Sequence, residues 1–364
     1  MTNNFNHVFP AIRGVQAGRP CYVAMVPMRI VPKLFIFDEA EVPTELRAQR
    51  TLNAQRIPEI SAYLVDNSSN YTLSSITASI DSTVNFDPIA DSGLGQNMGT
   101  LSIPMDASIL INDGQHRRAA IERAIKENTE LGHDNISVLF FIDEGLSRSQ
   151  QMFADLNKHA VRPSDSISTL YDLRDDLSNL AREMQKKVHI FTKLTEMEKS
   201  SISNRSSKLF TLSAIKNATK ALLGKGKKGP QTTKEEISLA ASYWNEVAAY
   251  MPDWQLALQK EVSTYELREN QIHAHGVFLQ AMGQIGLDLV STNAKTWQTK
   301  LKKLEKIDWS RTSSKWEGRA MNQGRISKAR VNVILTGNAI KTNLGIKLTP
   351  SEEEIEQEFL ENVR

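Results

Sequence analysis

The pattern of apolar residues changes once along the chain, near residue 165, and that change limits the fold more than any other feature. Before it, strand-like and helix-like segments alternate. Thr72 to Ile80, Thr100 to Ile103, Ser108 to Ile111 and Ile136 to Ile142 read as strands. Tyr22 to Val31 reads as a strand in which Pro27 marks an edge or a break. Leu34 to Phe37 is a short apolar run, and Asp91 to Gly99 is a polar, glycine-bearing loop. Leu46 to Val65, Ala119 to Ile125 and Ser147 to Lys158 carry helical spacing. After residue 165 strand signals nearly vanish. Ile167 to Lys187, Leu209 to Leu223, Lys234 to Tyr250, His275 to Val290, Thr296 to Leu304, Ser327 to Asn343 and Glu352 to Asn362 read as helices. The expected fold is therefore α+β: a mixed α/β domain over 1–165, then an all-helical domain over 166–364.

With 364 residues, 40% hydrophobic and 24% charged, the chain has the make-up of a globular protein with a core that needs no disulfide or metal. Cys21 is the single cysteine, so no intramolecular disulfide exists and a reducing cytoplasm is the expected compartment. The run Val138 to Ile142 is far shorter than the roughly 20 residues of a membrane span, so no membrane role is expected. Met1 to Gly14 has no apolar region of the signal-peptide kind.

The most informative stretch is Ile109 to Ala124. An apolar strand ends, Asp113-Gly114 turns, and a helix opens with Gln115, His116, Arg117 and Arg118. Such a turn aims backbone N–H groups and a positive helix end at one spot, and arginine forks match phosphate oxygens. Gly114 lets a backbone approach a ligand closely. The plain alternative is a solvated basic helix start, but cations there oppose the helix dipole unless an anion offsets them. Arg117 is therefore read as a ligand contact, so Arg117→Ala is expected to cost binding rather than folding. Asn157, Lys158 and His159 close a later helix, with Arg162 and Pro163 beyond it. These either cap a helix end or face a ligand.

The charge balance, 44 Lys and Arg against 42 Asp and Glu, leaves only +2 overall, so any nucleic-acid site must be local. Residues 295–330 hold eleven cations and three acids, +8 in one segment, with Trp297, Trp309 and Trp316 interleaved. Arg325, Lys328 and Arg330 lie there at near-helical spacing, and Lys225, Lys227 and Lys228 form a glycine-rich basic loop. This pattern suits phosphate contacts along DNA. It equally suits a solvated helix face with tryptophans packed inward. The tail 351–364 inverts the sign to −5. Ile355, Phe359 and Leu360 share a face suited to docking. His273 and His275 stand at i and i+2 with no third ligand nearby, so no metal site is expected.

Asp113-Gly114-Gln115-His116-Arg117 is the pentapeptide of the DGQHR-domain proteins, and most of the chain resembles the DndB family of the bacterial DNA phosphorothioation system. Further stretches carry that resemblance: Arg50 to Ile57 leading to Tyr63-Leu64, Asp155 to Ser164, and Leu209 to Ile215. The N-terminal half is similar to the ParB and sulfiredoxin superfamily. Gln115 stands at sulfiredoxin's cysteine position, so its thiol chemistry is not expected. Asn157 with Arg162 resembles the second ParB box at a wider gap.

The resemblance implies a repressor that binds promoter DNA of the modification genes. Asp113, Gly114, Gln115, His116, Arg117, Arg118, Asn157 and Arg162 would hold a phosphate, nucleotide or DNA. Lys225, Lys227, Lys228, Arg325, Lys328 and Arg330 would add DNA contacts. Homo-oligomers and the modification proteins are the other expected partners. The alternative is a ParB-like ATPase or CTPase, with ATP or CTP and Mg as cofactors, or a DNA-processing enzyme.

Overall fold

The computed structural model describes residues 5–35, 56–144, 148–158, 163–226, 231–292 and 296–363. They fall into two compact units, Met1–Val161 and Arg162–Arg364. The mixed α/β content agrees with the α+β expectation. Among the described residues no helix is long and apolar enough to cross a membrane.

The first unit is built on a seven-stranded sheet. Its strands are β1 (Asn6–Gln16), β2 (Arg19–Pro27), β3 (Ile76–Asp81), β4 (Asn85–Pro88), β5 (Met98–Pro104), β6 (Ser108–Asp113) and β7 (Asn135–Ile142). They lie in the order β4-β5-β1-β2-β7-β3-β6, and only β3 and β7 pair in parallel. β2 is thus an interior strand, and Pro27 closes it instead of marking an edge.

Alternation along the strands puts Ala24, Val26, Ile76, Ala78, Ile80, Ile111, Val138 and Phe140 into the core. Helices α1 (Val31–Leu34), α2 (Arg56–Asp66) and α3 (Gln115–Glu127) add Val31, Leu34, Leu64, Ile121 and Ala124. α4 (Ser149–Lys158) packs against β6. The part of the helix expected over 46–65 that precedes Arg56 lies outside the described residues. Residues Val31–Leu34, beside the short apolar run, form a turn of helix, and Gly93–Asn97 in the polar loop form a short 3-10 turn.

The second unit runs through α5 (Asp165–Tyr171), α6 (Asp176–Lys187), α7 (His189–Leu194), α8 (Leu212–Leu222), α9 (Lys234–Ala249), α10 (Pro252–Gln259), α11 (Thr264–Asn270), α12 (Gly276–Thr292), α13 (Trp297–Leu301), α14 (Arg330–Leu344) and α15 (Pro350–Val363). Side-chain caps start many of them: Ser164, Asp175, Thr211, Ser263, and Thr233 in a capping box with Glu236. The single helix expected over 167–187 is two, because Asp172 ends α5 and Asp175 caps α6.

This unit is not all-helical. Thr195–Glu196 (β8) pairs in parallel with Phe210–Thr211 (β9), and Met321–Asn322 (β10) pairs with Arg325–Ile326 (β11). Two-residue strands carry too little alternation to be read from sequence.

Its core is aromatic. Phe210 meets Trp254 edge-on at 5.1 Å, Phe278 meets Trp309 at 5.0 Å, and Trp309 stacks on Trp316 at 5.3 Å. Trp297, Trp309 and Trp316 are therefore core residues, not stacking platforms beside the cations. His273 sits inside this cluster, 1% exposed. Trp254 Nε1 donates to His273 Nδ1 at 3.0 Å, and since indole only donates, His273 Nε2–H donates to Asp253 at 2.9 Å. That arrangement leaves neither ring nitrogen for a metal.

The acidic tail helix docks through ion pairs more than through its apolar residues. The Lys341 ammonium, 1% exposed, reaches Glu352 at 2.6 Å and also pairs with Asp288. Arg319 grips Glu356 with both nitrogens and lies over the Phe359 ring at 4.5 Å. Leu360, by contrast, is exposed. For Glu352 and Glu356, burial pushes the pKa up, but bonds from Lys341 and from Arg319 outweigh it and the net direction is down.

A depressed carboxylate pKa contributes stability that is present above the ordinary value of about 4.3 and lost as pH falls through the folded one. Denaturant midpoints should therefore hold down to about pH 5 and fall below about pH 4. Glu352→Gln/Glu356→Gln should flatten that fall. Lys341→Met, which removes the buried ammonium shared by Glu352 and Asp288, should cost about 3–5 kcal/mol. A pH profile unchanged in the double variant would place the acid-labile groups elsewhere.

Candidate functional site

The turn that joins β6 to α3 gathers six of the expected residues. Gly114 adopts φ +113°, in the left-handed region, and a Cβ there would meet Ile76 Cγ1 at 3.0 Å. Only glycine allows β6 to pass directly into a helix against β3. Gln115 is buried and donates back to the Ile111 carbonyl at 3.2 Å. Its amide closes the turn from inside. Just before it, Asn112 is fully buried and donates to Ser79 Oγ at 2.7 Å.

The arginines do not point to an open ligand site. Arg117 Nη1 donates to the Ser74 carbonyl at 3.0 Å, to Ser74 Oγ at 2.6 Å and to the Ser75 carbonyl, while Nη2 pairs with Asp113. Its side chain is 16% exposed. Arg118 pairs with Glu122 at 2.7 Å and donates to the Pro32 carbonyl at 2.9 Å. The anion that a basic helix start requires is thus supplied by the chain itself, through Asp113 and Glu122.

His116 is half-buried. Burial, then the Arg56 and Arg117 charges, lower its pKa against a smaller opposing pull from Asp113, so the imidazole is neutral at pH 7. At this turn both arginines are already engaged by protein oxygens. Among the described residues no cluster of three or more His, Cys, Asp or Glu is placed to hold a metal.

The other expected residues are scattered or outside the described part. Asn157 lies on α4, on the backbone that packs near β6. Its side chain, Arg162, Lys227 and Lys228 lie outside the described residues. Lys225 is not a free loop cation: it pairs with Glu236 at 2.8 Å with a side chain only 8% exposed.

Arg325, Lys328 and Arg330 do not share a helix face. Arg325 is in β11, Lys328 lies in the connection, and Arg330 is the first residue of α14. β10 and β11 form a two-residue hairpin. Gln323 and Gly324 both have positive φ, 51° and 71°, as a type I′ turn requires. Its tip is pinned twice: the Glu317 carboxylate accepts from the N–H of Gln323 and of Gly324, and Arg311 donates to the Gly324 carbonyl at 2.8 Å.

Sequence reasoning missed Ser74 and Ser75, the partners of Arg117, and also Arg268. Arg268 is 8% exposed and donates to the carbonyls of Ser203, Asn204, Ser206 and Lys208, which shapes the loop before β9. Nothing in the spacing around these residues signals those bonds. Cys21 is buried in β2, and burial pushes its thiol pKa up, which disfavours thiolate chemistry.

The geometry reverses the expectation for Arg117. Arg117→Ala removes bonds to the Ser74 and Ser75 carbonyls and the pair with Asp113, all at solvent-exposed acceptors, and should cost about 0.5–1.5 kcal/mol in urea unfolding. DNA affinity of the folded variant should change little. An unchanged urea midpoint with lost binding would restore the ligand role.

The family model that matches the chain is DndB, described as DNA-sulfur modification-associated, over residues 9–347. No curated protein and no solved structure matches the chain. Since the match runs through both structural units, the chain belongs to the DndB family of proteins associated with DNA sulfur modification.

Proposed function

We propose that this chain binds double-stranded DNA and represses transcription of the sulfur-modification genes with which its family is associated. The observation that supports DNA binding is how the cations of the basic segment sort. Arg311 and Arg319 face inward onto carbonyls and Glu356, and Lys315 lies over the Trp316 ring at 5.4 Å. Lys302, Lys306, Arg325, Lys328 and Arg330 are exposed, and among the described residues none of them forms an ion pair. A chain of net charge +2 that keeps five cations out of internal pairing within thirty residues has the electrostatic footprint of a phosphate-binding surface. The regulatory role rests on the family's link to modification and on the resemblance read from the sequence. A ParB likeness of the first unit belongs to the same proposal, supported by the strand–glycine–helix turn.

The hydrolase reading draws less support, because it needs free cations at that turn. Its test is phosphate release from ATP and CTP, with and without DNA.

The DNA reading is tested by gel shift on the segment upstream of the chain's own gene cluster, at several salt concentrations. Log affinity should fall linearly with log salt. Arg325→Ala/Arg330→Ala should weaken binding to specific and unrelated DNA alike, and should flatten the slope by about two units. Unfolding midpoints should hardly move, since exposed charges contribute little to stability. Binding that ignores salt, or an unchanged slope in the folded double variant, would refute this interface.

A further inference from the structure

A second cationic centre lies in the helical unit, apart from the DGQHR turn and beside the hairpin, whose Ile326 and whose tip-holding Arg311 are part of its wall. It is a cavity of about 320 Å³ whose wall includes Arg268, His275, Gly276, Arg311 and Lys328, with Glu269 as its one acidic residue among the described lining.

Each wall element is held in place. Arg268 is fixed by four carbonyls of residues 203–208, and its own carbonyl accepts from Arg311 at 3.0 Å and from His275 Nε2 at 2.8 Å. Lys328 has a different status. No acceptor for its ammonium is found among the described residues, yet the Nζ lies close to where α12 begins: a Cβ on Gly276 would come within 3.0 Å of it. The glycine leaves the space that the ammonium occupies.

The electrostatics of this cavity are one-sided. His275 is pushed down to about 4, chiefly by burial; the bond to the Arg268 carbonyl opposes this, and the charges of Arg311, Lys328 and Arg268 each add a lesser downward push. Three permanent cations therefore act on one spot. The 17-residue helix α12 starts there too. The N–H groups of Phe278 and Leu279 donate to the His275 carbonyl just before the helix, and the helix's positive end repels the lysine. Exposed Glu269 answers only part of this charge. A lysine held against a helix start, among arginines, is a cost to the folded chain until an anion enters.

We propose that this cavity binds a phosphate group, with Lys328 as its mobile donor and Arg311 and the start of α12 as its fixed wall. The phosphate comes either from a free phosphate compound or from the DNA backbone. The chemistry is the same, and the experiment separates the two. This goes beyond the DNA-binding reading and does not depend on it.

The test uses the full chain and three probes: inorganic phosphate, AMP and a short duplex. Thermal shift and calorimetry follow each probe at constant ionic strength, with chloride as the control. Saturable protection by phosphate or AMP, weakened about tenfold or more in Lys328→Gln and regained in Lys328→Arg, supports a free phosphate ligand. Protection by the duplex alone, lost in Lys328→Gln and kept in Arg325→Ala/Arg330→Ala, supports a backbone phosphate in the cavity. Arg325→Ala/Arg330→Ala should leave phosphate and AMP protection intact, which separates this site from the hairpin interface. Equal protection by chloride, equal protection of Lys328→Gln, or no response to any probe overturns the proposal.

Discussion

A guanidinium carries five donors and no acceptor, and in this protein several arginines hold backbone carbonyls that the helices and strands leave over. Arg117 takes those of Ser74 and Ser75, Arg118 that of Pro32, and Arg182 those of Thr169, Leu170 and Asp172. Arg268 holds a whole loop, and Arg311 and Arg319 tie the hairpin and α14. Buried carbonyls must be paired, and loops between helices supply few N–H groups to pair them. An arginine meets several at once with one planar fork, which is why removing one disturbs more than one contact.

That habit separates the two kinds of basic residue in this chain. Sequence shows charge but not engagement. Arg117 and Arg118 look like a ligand cradle because they open a helix beside a glycine turn, yet Asp113 and Glu122 answer them at i−4 and i+4. Those acids stand in the sequence in plain view; the distant carbonyls of Ser74, Ser75 and Pro32 do not. In the segment 295–330 the same sorting leaves Lys302, Lys306, Arg325 and Arg330 outside and draws Arg311 and Arg319 in.

The fold was legible where periodicity is long. β7, α3, α9 and α12 lie close to the segments that apolar spacing marks. β1 was not read as a strand, because Pro10 and Gly14 interrupt its alternation and its partners β2 and β5 are supplied by tertiary pairing. The helix expected over 327–343 begins only at Arg330, since Gln323 and Gly324 spend the preceding residues on a hairpin. At the candidate turn, the strand–glycine–helix order was readable and the inward bonding was not. The cationic cavity was invisible, as Arg268 and His275, Arg311, and Lys328 come from stretches that tertiary pairing such as the Gln271–Ser310 bridge brings together.

The hairpin tip has a consequence for recognition. With Glu317 seated on its two N–H groups and Arg311 on its carbonyl, the backbone that carries Arg325 has little freedom left to lose. Any partner that meets Arg325 orders one side chain and no loop. The entropic penalty, roughly 1–2 kcal/mol per residue of backbone fixed, has been met during folding. Such a contact forms on a rigid stem, so its strength should track the partner's geometry more than the rate at which the protein rearranges.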